Sequence, residues 1–269
     1  MFNKLRFWSH RKLKHLKFSL LPKTPRTILL IMGCQRSGTS MLMRTFDWHK
    51  QTAVFRELSE AFDDMRLLDD QKAFKIFDSS KAPLVVAKPL LDSQKFQHYL
   101  NLDKRVKILW PYRHYKTVAM SNIRKFGNNN GKRDLSFIVD NHPTDWRNEL
   151  VSEEDRRLVA HYLKQDISDL DAAALFWYLR NKLVVNKPLD FSRFKCFKYE
   201  SLTQNPQSMF KKIFTFIGFD QSSLDISEIH TNPKSKKKDF ALHPEIEELC
   251  ANVYAELEIL ATQSFPDSE

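Results

Sequence analysis

Residues 27–42, TILLIMGCQRSGTSML, join a continuous apolar run to a turn with two glycines and then to more apolar residues. The first run predicts a buried strand that ends near Met32, and the apolar spacing after Ser40 predicts a helix. Gly33 and Gly38 let the turn bend tightly and bring its backbone close to a ligand. Unpaired amides and the helix dipole at such a turn favour an anion. The segment therefore predicts a strand–turn–helix anion site, and a tight turn without a ligand is the alternative.

Further apolar runs bounded by turn residues predict buried strands at residues 52–55, 84–88, 106–110 and 194–198. Between the strands, apolar residues recur at a period of about 3.6, which predicts helices at residues 40–48, 57–68, 92–100 and 115–125. A chain of 269 residues is long enough for one sizeable core. The alternation therefore predicts a single-domain, three-layer α/β/α fold around a central parallel sheet of about five strands.

The second half of the chain continues with helices after one interruption. Residues 126–168 begin with the polar loop FGNNNGKRD and break the alternation, so we expect an insertion or a lid there. Residues 171–186 predict a long amphipathic helix, and residues 245–263 predict a C-terminal helix. Between them, residues 206–218 predict a helix with an Asn–Pro start and a glycine at its end.

The first 26 residues carry much of the formal net charge of +10. Their basic side chains are not offset by any acidic one: Lys4, Arg6, Arg11, Lys12, Lys14, Lys17, Lys23 and Arg26. We therefore treat residues 1–26 as a basic N-terminal tail and residues 27–269 as the domain. One side of a helical tail would carry the apolar residues Leu5, Trp8, Leu13, Leu16 and Leu20. This pattern predicts peripheral contact with an anionic membrane surface, and a solvated arm or an organelle presequence is the alternative.

Several classes of protein do not fit the sequence. The three cysteines and nine histidines lack metal-ligand spacing, so no metal site is predicted. There is no run of about 18 apolar residues and no secretory signal, which favours a cytoplasmic protein. Outside the tail the chain is only weakly basic, and we expect no nucleic-acid partner. The glycine spacing is that of a nucleotide triphosphatase loop, but Thr39 stands where the catalytic lysine belongs, which argues against that class.

The segment GCQRSGTSMLMRTFDWH resembles the 5′-phosphosulfate loop of sulfotransferases, which take a sulfuryl group from 3′-phosphoadenosine 5′-phosphosulfate (PAPS). The resemblance assigns the 5′ end of this donor to consecutive loop residues: Gln35, Arg36, Ser37, Gly38, Thr39 and Ser40. Gln35 replaces a proline that is common in the family, and we expect this change to alter the rigidity of the loop. The reaction requires no metal.

A second segment, ILWPYRHYKTVAMSNIRKFG, resembles the 3′-phosphate motif of the family, with Arg113 at the end of a strand and Ser121 in the next helix. A planar guanidinium can hold a phosphate through two hydrogen bonds, and the hydroxyl adds a third donor. The segment FKYESLTQNP resembles a third family motif, which implies that Tyr199 lies near the nucleotide. The basic loop HTNPKSKKKDF resembles the segment that closes over PAPS, with Lys236, beside Ser235, as the assigned contact.

Sulfuryl transfer to an alcohol needs a base for the hydroxyl proton and positive charge around the sulfate. Glu57 follows the second predicted strand, and resemblance to the carbohydrate and tyrosyl-protein branches of the family assigns it as the base. Glu60 and His49 remain alternatives. The same branches have a lysine close to a proline at the position of Lys88, which implies that Lys88 contacts the transferring group. Arg36 of the loop is the third assigned catalytic residue.

The small-molecule branch of the family carries a catalytic histidine where Lys88 and Pro89 stand here. The resemblance therefore implies a PAPS-dependent sulfotransferase that modifies a hydroxyl, on a carbohydrate or a glycolipid. The alternative is a protein that keeps the fold and binds nucleotides or polyanions without catalysis.

Overall fold

The structure is a computed structural model. It describes residues 13–14, 16–18, 20, 26–140, 142, 144–220, 226, 229 and 240–266. Lys236 and Ser235 of the expected closing loop lie outside the described residues, as does most of the N-terminal tail.

Within the described residues the strands are, in chain order, β1 (Thr27–Ile31), β2 (Thr52–Phe55), β3 (Phe62–Asp63), β4 (Arg66–Leu67), β5 (Leu84–Ala87), β6 (Val106–Tyr112) and β7 (Phe194–Lys198). Five of them form one parallel sheet in the order β2-β5-β1-β6-β7. The other two, β3 and β4, form a short antiparallel hairpin. Strand β1 therefore lies in the middle of the main sheet, with β5 on one side and β6 on the other.

Over the same residues, the helices from Thr27 onward are α1 (Thr39–Trp48), α2 (Asp70–Ser79), α3 (Phe96–Leu102), α4 (Tyr115–Phe126), α5 (Asn130–Val139), α6 (Glu153–Lys164), α7 (Asp169–Lys182), α8 (Tyr199–Gln204), α9 (Pro206–Ile217) and α10 (Pro244–Ser264). A 3₁₀ helix (Leu90–Lys95) precedes α3, so the helix expected over residues 92–100 is divided in two. No helix within the described residues has both the length and the apolar character needed to cross a membrane.

Alternate residues of the buried strands face two separate cores, because side chains alternate along a strand. In β1, Ile28 and Leu30 belong to a core that includes residues of α4, α7 and α10. Leu29 and Ile31 belong to a second core, formed with α1 and α9. Helices therefore cover both faces of the sheet. The predicted α/β/α fold with a five-stranded parallel sheet is confirmed.

The helix predicted over residues 57–68 is wrong. The chain makes turns there and then forms the β3–β4 hairpin, whose tip residues Asp64 and Met65 have φ angles of 43° and 62°. Two consecutive residues in the left-handed region cannot lie inside a right-handed helix. The amide of Leu68 donates to the carbonyl oxygen of Ala61 at 3.0 Å, which closes the hairpin. The apolar spacing of this short stretch fitted a helix, but the same residues serve a hairpin with one buried side.

Residues 126–168, expected as an insertion or a lid, contain α5 and α6. Both helices pack against α7. Gly131 of α5 permits this packing, because a Cβ there would lie 2.6 Å from the backbone nitrogen of Ala173 in α7. Helix α7 itself begins with a capping box, in which the Ser168 hydroxyl accepts from the Asp171 amide.

In the N-terminal segment, residues 1–26, contacts with the domain are made by Lys14, Phe18 and Arg26. Lys14 is 4% exposed, and its Nζ donates to the carbonyl oxygen of Asp47 at 2.7 Å. Phe18 is buried in the larger of the two cores. Arg26 is also buried, and its guanidinium donates to the carbonyl oxygen of Phe77 at 2.8 Å.

Candidate functional site

The carboxyl ends of the five parallel strands meet at one edge of the sheet, where open α/β sheets bind ligands. Strand β1 leads into residues 33–38, which we term the anion loop. On one side of this loop, Lys88 follows β5 and Glu57 comes shortly after β2. On the other side, Arg113 follows β6 and Tyr199 follows β7. The strand order thus gathers residues that are distant in sequence.

Both glycines of the anion loop are required by its geometry. Gly38 has a φ of 89°, and a Cβ there would lie 2.1 Å from Cδ2 of Tyr199. Gly33 has a φ of 128°, and a Cβ there would lie 3.2 Å from the carbonyl oxygen of Pro111. The Gly33 amide donates to Ser93 Oγ at 2.8 Å. Strand β6, helix α8 and the 3₁₀ helix therefore all contact the loop directly.

The anion loop leaves polar groups without a protein partner. Ser37 is fully buried, and its Oγ has no hydrogen-bond partner in the described structure. Gly38, the N-cap of α1, offers no side chain as a cap, and the first turn of α1 has no acidic residue. Unpaired donors at a helix N-terminus favour an anion. An anion with several oxygens, such as a phosphate or a sulfate, fits these donors.

The remaining predicted loop residues lie around this position. Gln35 is half-buried, Thr39 is buried and Ser40 is exposed. Arg36 has a left-handed φ of 70°, a conformation that costs a residue with a side chain about 1–3 kcal/mol and is typical of functional loops. Arg36 Nε donates to Ser121 Oγ at 3.0 Å. The structure therefore joins two motifs that the sequence predicted separately.

Guanidinium groups gather beside the loop. Burial lowers the pKa of Arg36, and the nearby guanidiniums of Arg113 and Arg124 lower it further. Cations held together in this way favour the binding of a polyanion. Arg124 lies one helical turn after Ser121 on α4, so the two side chains share a face. Sequence reasoning missed Arg124, although this helical spacing was a signal for it.

On the other side of the loop, Glu57 and Lys88 form an ion pair. Lys88 Nζ lies 2.9 Å from Glu57 Oε1 and donates to Ser40 Oγ at 3.3 Å. The side chain of Lys88 is 4% exposed, and that of Glu57 is 26% exposed. Arg56 Nη2 donates to Asp47 Oδ2 at 2.7 Å, which ties the residue before Glu57 to α1. One ammonium group therefore contacts both a carboxylate and the start of α1.

At the end of β6, Arg113 is held by two residues of α8. Its Nε donates to Glu200 Oε1 at 3.2 Å, and its guanidinium carbon lies 4.6 Å from the centre of the Tyr199 ring. The Tyr199 ring also packs on Gly38, and its hydroxyl lies 3.9 Å from Met41 Sδ. Tyr199 therefore connects Arg113 to the anion loop.

The two alternative bases have different surroundings from Glu57. His49 follows α1 at the end opposite to the anion loop and is fully buried. Its Nδ1 lies 2.9 Å from Thr52 Oγ1, and its Nε2 lies 3.0 Å from the carbonyl oxygen of Asp220. Burial lowers the pKa of His49. Glu60 is exposed on the surface. The structure thus brings Glu57 to Lys88, whereas both ring nitrogens of His49 are engaged within the fold.

The family model of the sulfotransferase domain matches residues 26–248. The chain belongs to the sulfotransferase domain family. The matched range contains the anion loop, the Glu57–Lys88 pair and Arg113 with its partners on α8. The residues gathered at the sheet edge are therefore part of a sulfotransferase domain and not of an added segment. No protein of curated function matches the chain.

Solved structures of sulfotransferases share the fold of this domain. The sulfotransferase from Alicyclobacillus acidocaldarius is 18% identical, covers 88% of this chain and 96% of its own, and has a TM-score of 0.51. The sulfotransferase domain from the Synechococcus PCC 7002 olefin synthase is 15% identical, with coverages of 87% and 96% and a TM-score of 0.50. The sulfotransferase domain from the curacin biosynthetic pathway is 14% identical, with coverages of 87% and 99% and a TM-score of 0.51. At these identities the likeness supports the fold alone.

Two further side chains that lie at the site, Glu200 and Ser93, were given no role there by the sequence prediction. Glu200 belongs to the third motif and directly follows Tyr199, but the resemblance gave a role near the nucleotide to Tyr199 alone. Ser93 contacts Gly33 from a position 60 residues away in sequence, and no local pattern indicates that contact.

The cysteines of the sulfotransferase domain are free and buried at positions 34, 196 and 250. Burial raises the pKa of the Cys34 thiol, inside the anion loop, to about 12. This thiol therefore stays protonated at neutral pH. Among the residues that the structure describes, no group of His, Cys, Asp or Glu side chains is arranged to hold a metal ion.

Proposed function

We propose that this chain transfers the sulfuryl group of PAPS to the hydroxyl of an acceptor. The observation that carries the proposal is the position of Lys88 Nζ, 2.9 Å from the Glu57 carboxylate and 3.3 Å from the Ser40 hydroxyl. A sulfate bound at the anion loop would have a cation and a candidate base beside it.

The residues around the anion loop fit the donor. The loop amides over residues 35–40 and the unpartnered hydroxyl of Ser37 would hold the 5′-phosphosulfate. Arg113 and Ser121 would hold the 3′-phosphate, which AMP and ATP lack. Tyr199, packed between this arginine and the loop, would lie near the nucleotide.

PAPS supplies a sulfuryl group on a phosphate that leaves readily. Glu57 accepts the proton of the acceptor hydroxyl while the acceptor oxygen forms its bond to sulfur. The bond between sulfur and the 5′-phosphate oxygen breaks, and its electron pair leaves with 3′-phosphoadenosine 5′-phosphate (PAP). Lys88 balances the negative charge on the transferring sulfate, and Arg36 balances the charge that grows on the departing phosphate.

The acceptor hydroxyl belongs to a carbohydrate or a glycolipid. The sequence Lys88–Pro89 supports this class, because it resembles the carbohydrate and tyrosyl-protein branches and replaces the histidine of the small-molecule branch. The Glu57 side chain is 26% exposed, so a large acceptor can reach it from the surface.

In this proposal the N-terminal segment contacts an anionic membrane surface from the cytoplasm. Leu13, Leu16 and Leu20 are 61%, 63% and 81% exposed, whereas Lys14 and Phe18 are buried against the domain. The three leucines are spaced for one side of a helical segment. The basic residues around them complement the charge of acidic lipid headgroups.

Transfer of ³⁵S from labelled PAPS to a panel of polysaccharides, glycolipids and phenols tests the proposal. We expect a carbohydrate or a glycolipid to be labelled in preference to the phenols. Labelling of phenols alone would contradict the acceptor class. Tight binding of PAPS without any labelled acceptor would favour the alternative, a nucleotide-binding protein that keeps the fold without catalysis.

A further inference from the structure

Glu200 faces Arg113 across the ends of β7 and β6. One carboxylate oxygen, Oε1, accepts from Arg113 Nε at 3.2 Å, and the two side chains are 26% and 14% exposed. The other oxygen, Oε2, is buried and finds no hydrogen-bond partner among the described residues. An unpaired buried acceptor costs folding free energy. A role in stability alone therefore explains the contact between Glu200 and Arg113 poorly.

Two contacts orient the guanidinium of Arg113, and a third holds its backbone. Glu200 holds Nε, the Tyr199 ring lies 4.6 Å from the guanidinium carbon, and the indole nitrogen of Trp177 donates to the Arg113 carbonyl oxygen at 3.0 Å. Within the described part of the chain, no hydrogen bond reaches either terminal nitrogen, Nη1 or Nη2, of Arg113. The two nitrogens that bind a phosphate in pairs are therefore available.

The other cations near Arg113 give the Glu200 carboxylate a charge to offset. Its guanidinium lies near Arg36, which also has Arg124 as a neighbour. Like charges repel, and an arginine side chain has many rotamers. Glu200 opposes this repulsion without occupying the terminal nitrogens.

We propose that Glu200 is a positioning residue, which directs the terminal nitrogens of Arg113 toward the 3′-phosphate of the donor. This inference rests on the proposed function, because it needs a nucleotide with a 3′-phosphate. It predicts that Glu200 affects recognition of the 3′-phosphate and has no effect on recognition of the rest of the nucleotide.

Calorimetric titrations with PAP and with AMP test the inference on the full chain. We compare wild type with Glu200→Ala, Glu200→Gln and the control Glu258→Ala, which removes the carboxylate that pairs with Lys198 Nζ at 2.6 Å. Glu200→Ala should weaken PAP about tenfold, the scale of one charged hydrogen bond, and leave AMP unchanged. Glu200→Gln keeps an acceptor oxygen and should stay within about threefold of wild type for PAP. The control should bind both nucleotides as wild type does.

Arg113→Ala supplies the second part of the test. In that background Glu200→Ala should have no further effect on PAP, because the residue acts through Arg113. Tighter PAP binding by Glu200→Ala would show that the carboxylate competes with the phosphate, and would overturn the inference. Equal weakening of PAP and AMP would also overturn it, since Glu200 would then only support the packing of Tyr199. If wild type itself does not prefer PAP to AMP, the proposed donor fails, and the inference fails with it for that separate reason.

Discussion

Two ion pairs flank the anion loop, one on each side of β1. In each pair, a carboxylate after an edge strand holds a cation after the strand next to β1. Glu57 and Lys88 form the pair after β2 and β5, and Glu200 and Arg113 form the pair after β7 and β6. The N–O distances of the two pairs are similar, 2.9 Å and 3.2 Å. The two halves of the sheet edge therefore mirror each other, with the cation next to β1 and the carboxylate farther out.

The cations of the two pairs differ in shape and in surroundings. Lys88 is a compact charge, 4% exposed, which also contacts the Ser40 hydroxyl. Arg113 is planar, rests on the Tyr199 ring and is 14% exposed. The compact ammonium group of a lysine can stabilise negative charge whose position changes during a reaction. The rigid, planar guanidinium of an arginine matches the fixed geometry of a phosphate. We infer that the Lys88 side carries the transfer chemistry and that the Arg113 side recognises the donor.

The largest effect is expected from a change of Glu57, the carboxylate paired with Lys88. Glu57→Gln keeps the size of the side chain but removes the basic site, so the transfer rate should fall about 10²- to 10⁴-fold. PAP affinity should change little, because Glu57 acts on the acceptor. Rates of ³⁵S transfer and calorimetry with PAP measure the two quantities. Glu60→Gln, at an exposed position nearby, is the control. A near-wild-type rate for Glu57→Gln, with loss of transfer in Glu60→Gln or His49→Ala, would assign the base to another residue.

The second-largest effect is expected from Lys88, the cation of the pair that carries the transfer chemistry. Lys88→Ala removes one electrostatic donor from the transferring group, so the rate should fall on the order of 10²- to 10³-fold. Its PAP affinity should stay close to that of wild type, since PAP carries no sulfate. Lys75→Ala removes the same charge from an exposed position on α2 and should be silent in the same assay. A Lys88→Ala variant that transfers at the wild-type rate would contradict the inference that the Lys88 side carries the transfer chemistry.

On the recognition side, a smaller effect on affinity is expected. Arg113→Ala should weaken PAP by about 1.5–3 kcal/mol, or roughly 10- to 150-fold, the range for a lost charged contact. Calorimetry with PAP measures this change. The matched control is Arg105→Ala, at the amino end of the same strand, where Arg105 pairs with Asp78 and Asp103. Unchanged PAP affinity in Arg113→Ala would mean that the second motif is misassigned.

The smallest effect concerns the N-terminal segment, which lies outside both ion pairs. Leu20→Ser should weaken sedimentation with anionic phosphatidylserine vesicles about five- to tenfold, as expected for one leucine side chain withdrawn from lipid. Leu102→Ser, which changes another exposed leucine on α3, is the control. Equal sedimentation of wild type and both variants would argue against a membrane contact through these leucines.

Local patterns in the sequence were sufficient to predict the strands of the main sheet and the turn that forms the anion loop. Each of the five predicted strands forms, because a mainly apolar run between turn residues fits a buried parallel strand. The turn after β1 follows from Gly33 and Gly38, whose φ angles of 128° and 89° only glycine adopts readily. The hairpin of β3 and β4 was missed within the helix predicted over residues 57–68, since a short apolar pattern fits either a helix or a strand pair.

Contacts across the sheet edge could not be predicted from the sequence, because they depend on strand order. Arg113 and Glu200 are 87 residues apart and meet only because β7 pairs with β6. Arg36 and Ser121 are 85 residues apart, and their hydrogen bond depends on α4 lying beside the loop. The family resemblance supplied most site residues, but it could not supply the ion pairs among them.

The division between the two sides is tested most directly by the ratio of PAP affinity to AMP affinity, measured by calorimetry. Wild type and Lys88→Ala should both prefer PAP, by about 10- to 150-fold, because Lys88 does not contact the 3′-phosphate. Arg113→Ala should bind PAP and AMP with nearly equal affinity. A wild-type ratio near one would contradict the account, and so would a ratio that falls in Lys88→Ala and persists in Arg113→Ala.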